Sequence, residues 1–364
     1  MASRQTYLGY AEAAAQVLTT KWFPADGPTN WVNNAGDFWR APNLVTALTG
    51  PIQITGSRSY LATAANARAV FGRNFIPGSS PDYYDDECWW GACFLRLGAL
   101  TGDATWIATA DQIFADLQGG WDSVAGGGVW WKRDPKQYLE NENEKGSIEN
   151  ELYMDIAMGL YAAYPAGGRQ TYLSATNQTW QWMQALIDST GLVWGSLNQD
   201  GTIKRSNVAR PYNQGVVLGP LWALFKLAGD AAYLDSAQKI VQAAIDTMTW
   251  PDGILREVCE QRRDCGPNDL DSPLFKGIFV RYLAEFAQRL ATVDDPARRK
   301  AAQQYVAFLQ QNADAVWANF PGGIFGMDWH TPQPDYRPTG VLLYDGSLQS
   351  SALDLFVAAA LVSA

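Results

Sequence analysis

The 364-residue sequence predicts an all-α protein, an (α/α)6 toroid of six helical hairpins with an inner and an outer ring. Three observations predict it. Similar segments recur about every sixty residues, the sign of a repeat architecture. LRLGALTGDATWIATADQIFADL, YAAYPAGGRQTYLSATNQTWQWMQAL and LFKLAGDAAYLDSAQKIVQAAID each run from an apolar helix end through a short turn to an aromatic and a second helix, aligning Trp106, Tyr172 and Tyr233; a fainter copy places Tyr60 in the same role. Next, helices apolar on every side alternate with amphipathic ones, as a buried ring and a half-exposed ring require. Finally, the chain entering each apolar helix is polar and aromatic: NNAGDFWR, PDYYDDECWW, GSIENELYM, ARPYNQG, SPLFKG and YDGSLQSS.

Helical apolar spacing marks the elements in order. The first segments are residues 4–20, 38–50, 58–72 and 85–100, the last containing WWGACFLRLGAL. Residues 104–118 (ATADQIFADLQ) are amphipathic, 147–164 begin at SIEN, and 170–188 hold the aligned Tyr172. Residues 212–228 (VVLGPLWALFKLAG) are apolar all round and 231–248 are their partner. Residues 272–290, 294–316 (ARRKAAQQYVAFLQQ) and 346–362 (LFVAAALV) complete twelve helices. GGGVWW, GLVWG, DGILRE and GGIFGMDW follow helices and read as short hairpin-like pieces, glycine allowing the turn. No Pro/Gly linker divides the chain, so residues 1–364 are expected to form a single domain.

Composition narrows the function. The net charge is −10 and there is no basic stripe, which disfavours nucleic acid and anionic membranes and suits a neutral ligand. No window has the roughly 18 apolar residues of a membrane span. One histidine, His330, makes a Ser-His-Asp triad improbable and a multi-histidine metal site impossible, and the sequence carries no calcium-loop pattern, so neither metal nor cofactor is expected. Sixteen Trp and sixteen Tyr fit a packed aromatic core, a sugar-stacking cleft, or both. MASRQTYLGYAEAAAQ lacks the basic-then-apolar pattern of a signal peptide. CEQRRDC can close a small Cys259–Cys265 disulfide, favouring export, whereas Cys88 and Cys93 are expected free and buried. A monomer that is secreted or attached to a cell wall is the expectation.

The stretch PDYYDDECWWGACFL sets Asp85 beside Asp86 and follows them with Trp89 and Trp90. Acidic residues complement a helix N-terminus, yet capping leaves the tryptophans unexplained. Retaining glycosidases need carboxyls about 5–5.5 Å apart, and neighbouring Cα atoms, about 3.8 Å apart, allow that spacing. One ionised Asp raises the proton affinity of the other, leaving an anion to attack and an acid to protonate the leaving oxygen. Adjacency is symmetric between the two.

YYDDECWW, GGGVWWK, KGSIENELYM, YNQGVVLG, LFKGIFVRYLAEF and LQSSALDLF resemble, in order and over most of the chain, the motifs of glycoside hydrolase family 76. The resemblance implies an (α/α)6 fold and a retaining endo-α-1,6-mannanase acting on α-1,6-linked mannan or manno-oligosaccharides. Asp85 would be the nucleophile and Asp86 the acid/base. Fungal members implicated in transglycosylation on anchor glycans make that an alternative with the same site. An inactive carbohydrate-binding homologue is a third reading, opposed by the intact aspartate pair.

The remaining candidates for substrate binding are Asp37 with Trp39, Trp89, Trp90, Trp130 and Trp131 (one as a sugar platform, the other in packing), Asn150, Tyr212, Asn213 and Lys276. A lysine inside an apolar run is costly unless paired, so Lys276 is expected to meet substrate or a carboxylate. Glu87 is expected at the surface or in a cap, and Glu140–Lys145 in a solvated loop.

Overall fold

The helices form where the apolar spacing places them. The computed structural model describes residues 2–22, 38–65, 83–133, 144–263, 265, 271–331 and 346–363. Asp37 and the 58–72 helix beyond residue 65 lie outside the described residues. The chain groups into two compact units, Arg68–Ile240 and the pair of segments Met1–Ala67 and Val241–Ala364.

Within Arg68–Ile240, Tyr84–Thr101 pairs with Ala104–Gln118, and Ser147–Ala163 pairs with Gln170–Met183. Two hairpin turns are built from the same tripeptide, Gly-Asp-Ala. Gly102 and Gly229 take left-handed φ of 72° and 70°, ending one helix at little steric cost. The next residue, Asp103 or Asp230, then accepts the N–H two residues on, from Thr105 at 2.8 Å or Ala232 at 2.9 Å, and starts the second helix. The segment expected as one helix over 212–228 is broken into Pro211–Gly215 and Leu218–Ala228. Pro220 has no N–H to give the Val216 carbonyl, which accepts Gly219 N–H at 3.3 Å instead.

The other unit holds the helices Arg4–Val17, Arg40–Thr55, Ser272–Leu290, Pro296–Asn319 and Gly346–Val362, three of which meet at a buried ion pair. Arg281 donates through Nε and Nη2 to both oxygens of Asp354, at 2.9 and 2.6 Å, and through Nη1 and Nη2 to Asn43, at 3.3 Å each. Three helices are joined by one guanidinium fork. Cys259 and Cys265 form a disulfide, and Cys88 and Cys93 are free and buried. No helix among the described residues is long and apolar enough to cross a membrane.

Three of the four hairpin echoes close antiparallel bridges, Trp121 to Val129, Ile187 to Val193 and Thr249 to Leu255. The fourth, GGIFGMDW, is turn and irregular chain. A buried amide holds each echo. Asn150 Oδ1 accepts Val129 N–H at 2.8 Å and its Nδ2 donates to Val129 O at 3.0 Å and Gly146 O at 2.8 Å. Gln214 does the same to Val193, at 2.9 and 2.8 Å. Asn312 holds Leu255 N–H and Gly253 O, and Gln349 holds Phe325 N–H and Gly323 O. Asn150 is therefore a structural clasp and not the substrate ligand its motif suggested: it is fully buried, with both ends of the amide on backbone. Asn150→Ala would strand a buried N–H and C=O of Val129, and is expected to lower unfolding free energy by about 2–4 kcal/mol, measured by equilibrium urea denaturation.

Candidate active site

The aspartate pair opens a helix. Asp85, Asp86 and Glu87 occupy the first turn of Tyr84–Thr101, where the unpaired N–H groups and the helix dipole favour negative charge. Tyr83, the residue before this turn, offers no side-chain cap. The chain carrying Trp130 and Trp131 supplies one instead: Tyr84 N–H donates to Trp131 O at 2.8 Å, and Tyr83 bridges Lys132. Both aspartates are half-buried.

The environment of Asp85 is acidic and dry. Glu149, from the first turn of Ser147–Ala163, is fully buried; its Oε1 accepts Gly146 N–H and its Oε2 has no hydrogen-bond partner among the described residues. Burial, then the charge of Asp85, pushes Glu149 well above the usual carboxylate range. Glu151 is raised likewise by burial and Glu149. Burial chiefly, with Asp85, Glu149 and Glu151 adding, pushes the Tyr212 phenol up, against the lowering effect of Arg210. Cys88, whose Sγ lies 3.8 Å from Glu149 O, is also raised by burial and by Asp85. Each of these groups is pushed toward its protonated form.

The aromatic candidates separate. Trp89 is buried with its ring 6.4 Å from Tyr212 and nearly parallel to it, on the helix face that Asp85 and Asp86 share at spacings of four and three. Trp90 is a core residue, 1% exposed and packed on Phe94 at 5.5 Å, and is corrected from ligand to packing. Trp130 donates Nε1 to Asp122 at 2.8 Å, with Lys145 Nζ 4.8 Å above its ring. Trp131 is half-buried and lies 4.7 Å from Tyr83. In the other unit, Trp39 is half-buried, donates Nε1 to Asp271 at 2.9 Å and packs on Phe275 at 6.0 Å.

Other polar candidates are occupied by the protein. Asn213 is buried, accepting Arg210 N–H at 3.2 Å and donating to Ser147 Oγ at 2.8 Å, so it joins two helix starts and is corrected from ligand to clasp. Of the two expected partners of Lys276, the carboxylate is the one present. Its Nζ donates to both oxygens of Glu260, at 3.0 and 2.9 Å, and to Met327 O, using all three protons, and it lies 4.6 Å over Trp329. Lys276 is 1% exposed, which corrects the substrate-binding expectation. Glu87 is fully buried and paired with Arg133, so it is neither surface nor solvated cap. Lys145, placed in a solvated loop by its charge run, is buried on Asp122, at 2.5 Å, and on the carbonyls of Val124 and Gly127. Glu144 beside it pairs with Lys204 and Asn207.

Paired carboxyls at a helix start, flanked by half-buried aromatics, are the equipment of a glycoside hydrolase. The chain belongs to glycosyl hydrolase family 76, whose model matches residues 7–362. It is similar to the α-1,6-mannanase of Salegentibacter sp. HEL1_6, at 25% identity and TM-score 0.78, covering 98% of this chain and 100% of that one. An inactive variant of that mannanase, with two consecutive aspartates changed to alanine, is equally similar and is in complex with α-1,6-mannotetrose. The mannan endo-1,6-alpha-mannosidase DFG5 of Saccharomyces cerevisiae is 25% identical over 301 residues, 76% of this chain and 61% of the yeast protein. The chain thus spans about three fifths of the length of that relative. Family and structural likeness place the fold in the all-α (α/α)6 class.

Two outcomes follow from the buried charges. Lys276→Met leaves Glu260 buried without its cation and is expected to cost about 3–5 kcal/mol; adding Glu260→Gln should recover most of it, as read by urea denaturation. Carboxyls whose folded-state proton affinity is raised make the folded protein hold protons that the unfolded chain releases, so stability is full at low pH and falls as pH rises. With Glu87 pushed up to about 8 and Glu149 and Glu151 also raised, Tm should fall between about pH 5 and 8. Glu151→Gln should flatten that decline in calorimetric scans.

Proposed function

We propose that the protein hydrolyses internal α-1,6-mannosidic bonds of mannan with retention of configuration, Asp85 acting as nucleophile and Asp86 as acid/base. The observation that carries the reading is the adjacent, half-buried aspartate pair in the first turn of its helix. The consecutive aspartates replaced in the inactive Salegentibacter mannanase, and the manno-oligosaccharide that variant holds, support both site and substrate.

In the first step an Asp85 oxygen attacks the anomeric carbon. The bond to the glycosidic oxygen breaks, and that oxygen leaves with the Asp86 proton. In the second step Asp86 takes a proton from water, whose oxygen attacks the same carbon and releases the Asp85 carboxylate. Two inversions give retention. The choice of Asp85 as the anion follows the family resemblance, and Glu149, Tyr212 and Cys88, pushed toward their protonated forms, leave few anions to compete beside it. The helix N-terminus stabilises that charge in the free enzyme and as it is released from the glycosyl-enzyme. Trp131 and Tyr212 offer half-buried ring surface to sugar C–H faces. A net charge of −10 suits a neutral polymer met outside the cell or in its wall. Transfer to a second sugar instead of water would use the same two residues.

Asp85→Asn should abolish turnover, because no glycosyl-enzyme forms. Asp86→Asn should slow cleavage of unactivated manno-oligosaccharides by about 10²–10⁴-fold while sparing the first step on an aryl mannoside with a good leaving group. Azide should rescue Asp86→Asn to the α-mannosyl azide and Asp85→Asn to the β-azide. NMR of the products reads the anomer: the opposite pattern exchanges the roles, and wild-type protein inert on linear α-1,6-mannan overturns the function.

A further inference from the structure

Arg133 follows Trp131 and Lys132, the chain that caps the aspartate helix. Its guanidinium pairs with Glu87, lies 2.5 Å from Asp116 Oδ2, and sits 4.3 Å over the Tyr84 ring. Asp116 belongs to the second helix of the same hairpin, Ala104–Gln118. Tyr84 and Glu87 are 6% and 0% exposed, so both contacts are dry. Asp85 and Asp86 are the two residues between them. The backbone adds to the same grip: Tyr84 N–H donates to Trp131 O, and Tyr83 bridges Lys132, the residue before Arg133.

An ordinary buried ion pair is the bland account. Such pairs return little net stability over apolar side chains of equal volume, because both charges lose water. Here one cation serves two carboxyls. What the arrangement supplies that apolar packing would not is direction. A planar fork fixes the angle between the capping chain, the aspartate helix and its partner.

We propose that Arg133 is the positioning residue of the aspartate pair, gripping Tyr84 and Glu87 on either side of Asp85 and Asp86 and anchoring that turn to Asp116. The inference rests on the proposed roles of the two aspartates. Displacing carboxyls that must reach an anomeric carbon and its leaving oxygen together lowers kcat more than it weakens binding of a long polymer.

The test compares wild type, Arg133→Ala and Arg133→Lys on α-1,6-mannan, each checked for folding by its Tm. Arg133→Ala should lose about 10–100-fold in kcat with KM within about twofold, and millimolar guanidinium should restore part of the loss by refilling the gap. Arg133→Lys should fall between, since an ammonium can neutralise a carboxylate but cannot span two and cover a ring. Wild-type kcat in a folded variant, a loss confined to KM, or no response to guanidinium would overturn the inference. If Arg133→Ala does not fold, Arg133→Lys alone is held to the kcat and KM criteria. Wild type inert on mannan would defeat the proposed function instead, and the clamp is then judged by stability. Glu87, whose proton affinity the Arg133 charge lowers, should bind its proton more tightly in the uncharged Arg133→Gln, extending the fall of Tm to higher pH than in wild type. Superimposable Tm–pH curves would overturn the clamp.

Discussion

Hydrogen bonding of buried loop backbone is the constraint on which the site depends. The chain after Ala104–Gln118 turns inward and buries Val129, whose N–H and C=O then need partners. Asn150 provides both, and only because it stands one turn into the next helix, beside Gly146 O. With Val129 fixed, the following residues fall where Trp131 O can cap Tyr84 and Arg133 can reach Glu87. One amide thus governs the setting of the aspartate pair from 21 residues beyond the loop it holds. The same solution at Gln214 and Gln349 explains why loops of different length and sequence can be carried on one repeated frame.

Acidic side chains crowd the starts of these helices, and the fold handles them in two ways. Glu87 and Glu260 receive a cation, Arg133 and Lys276. Glu149 and Glu151 receive none among the described contacts and are driven toward the protonated form. Both outcomes avoid an uncompensated buried charge, whose desolvation would cost several kcal/mol or more. They differ in consequence. A cation fixes direction even though burial still raises the proton affinity of Glu87 and Glu260, whereas a carboxyl held only by its proton loses that as pH rises. The ion pairs lie where direction matters, at the aspartate turn and at the Cys259–Cys265 loop. Of the carboxyls pushed toward neutrality, Glu149 feels the charge of Asp85, where a second anion would compete with it.

Periodicity carried most of the fold. Helices expected over 104–118 and 272–290 are found as Ala104–Gln118 and Ser272–Leu290, because apolar spacing is a local property of the chain. The break at Val216 and Val217 was written in Pro220, whose missing N–H acts four residues back. The aspartate pair was legible because its meaning is also local: adjacency and a helix start. Asn150, Asn213, Lys276 and Glu87 were misread for the converse reason. Each has a partner far along the chain, and sequence alone does not distinguish an amide facing a sugar from one facing a carbonyl. A usable signal was present for the clasps. Asn150, Gln214 and Gln349 all stand at the fourth position of their helices, and a residue type repeated at one position of a repeat points to the frame before the ligand.

Adjacent aspartates are an unfavourable pair in an unfolded chain and a worse one when water is removed, so their surroundings must lower that cost. Three features of this turn act in that direction. The helix start presents unpaired N–H groups and the positive end of the dipole to the pair. The neighbouring carboxyls and phenol are pushed toward neutrality, removing competing anions. Arg133 sets a positive charge on Glu87, directly after the pair. None of these cancels the repulsion between Asp85 and Asp86 themselves. That residual repulsion is relieved when one of them keeps a proton, and a carboxyl that keeps its proton beside a carboxylate is the starting state a retaining glycosidase requires.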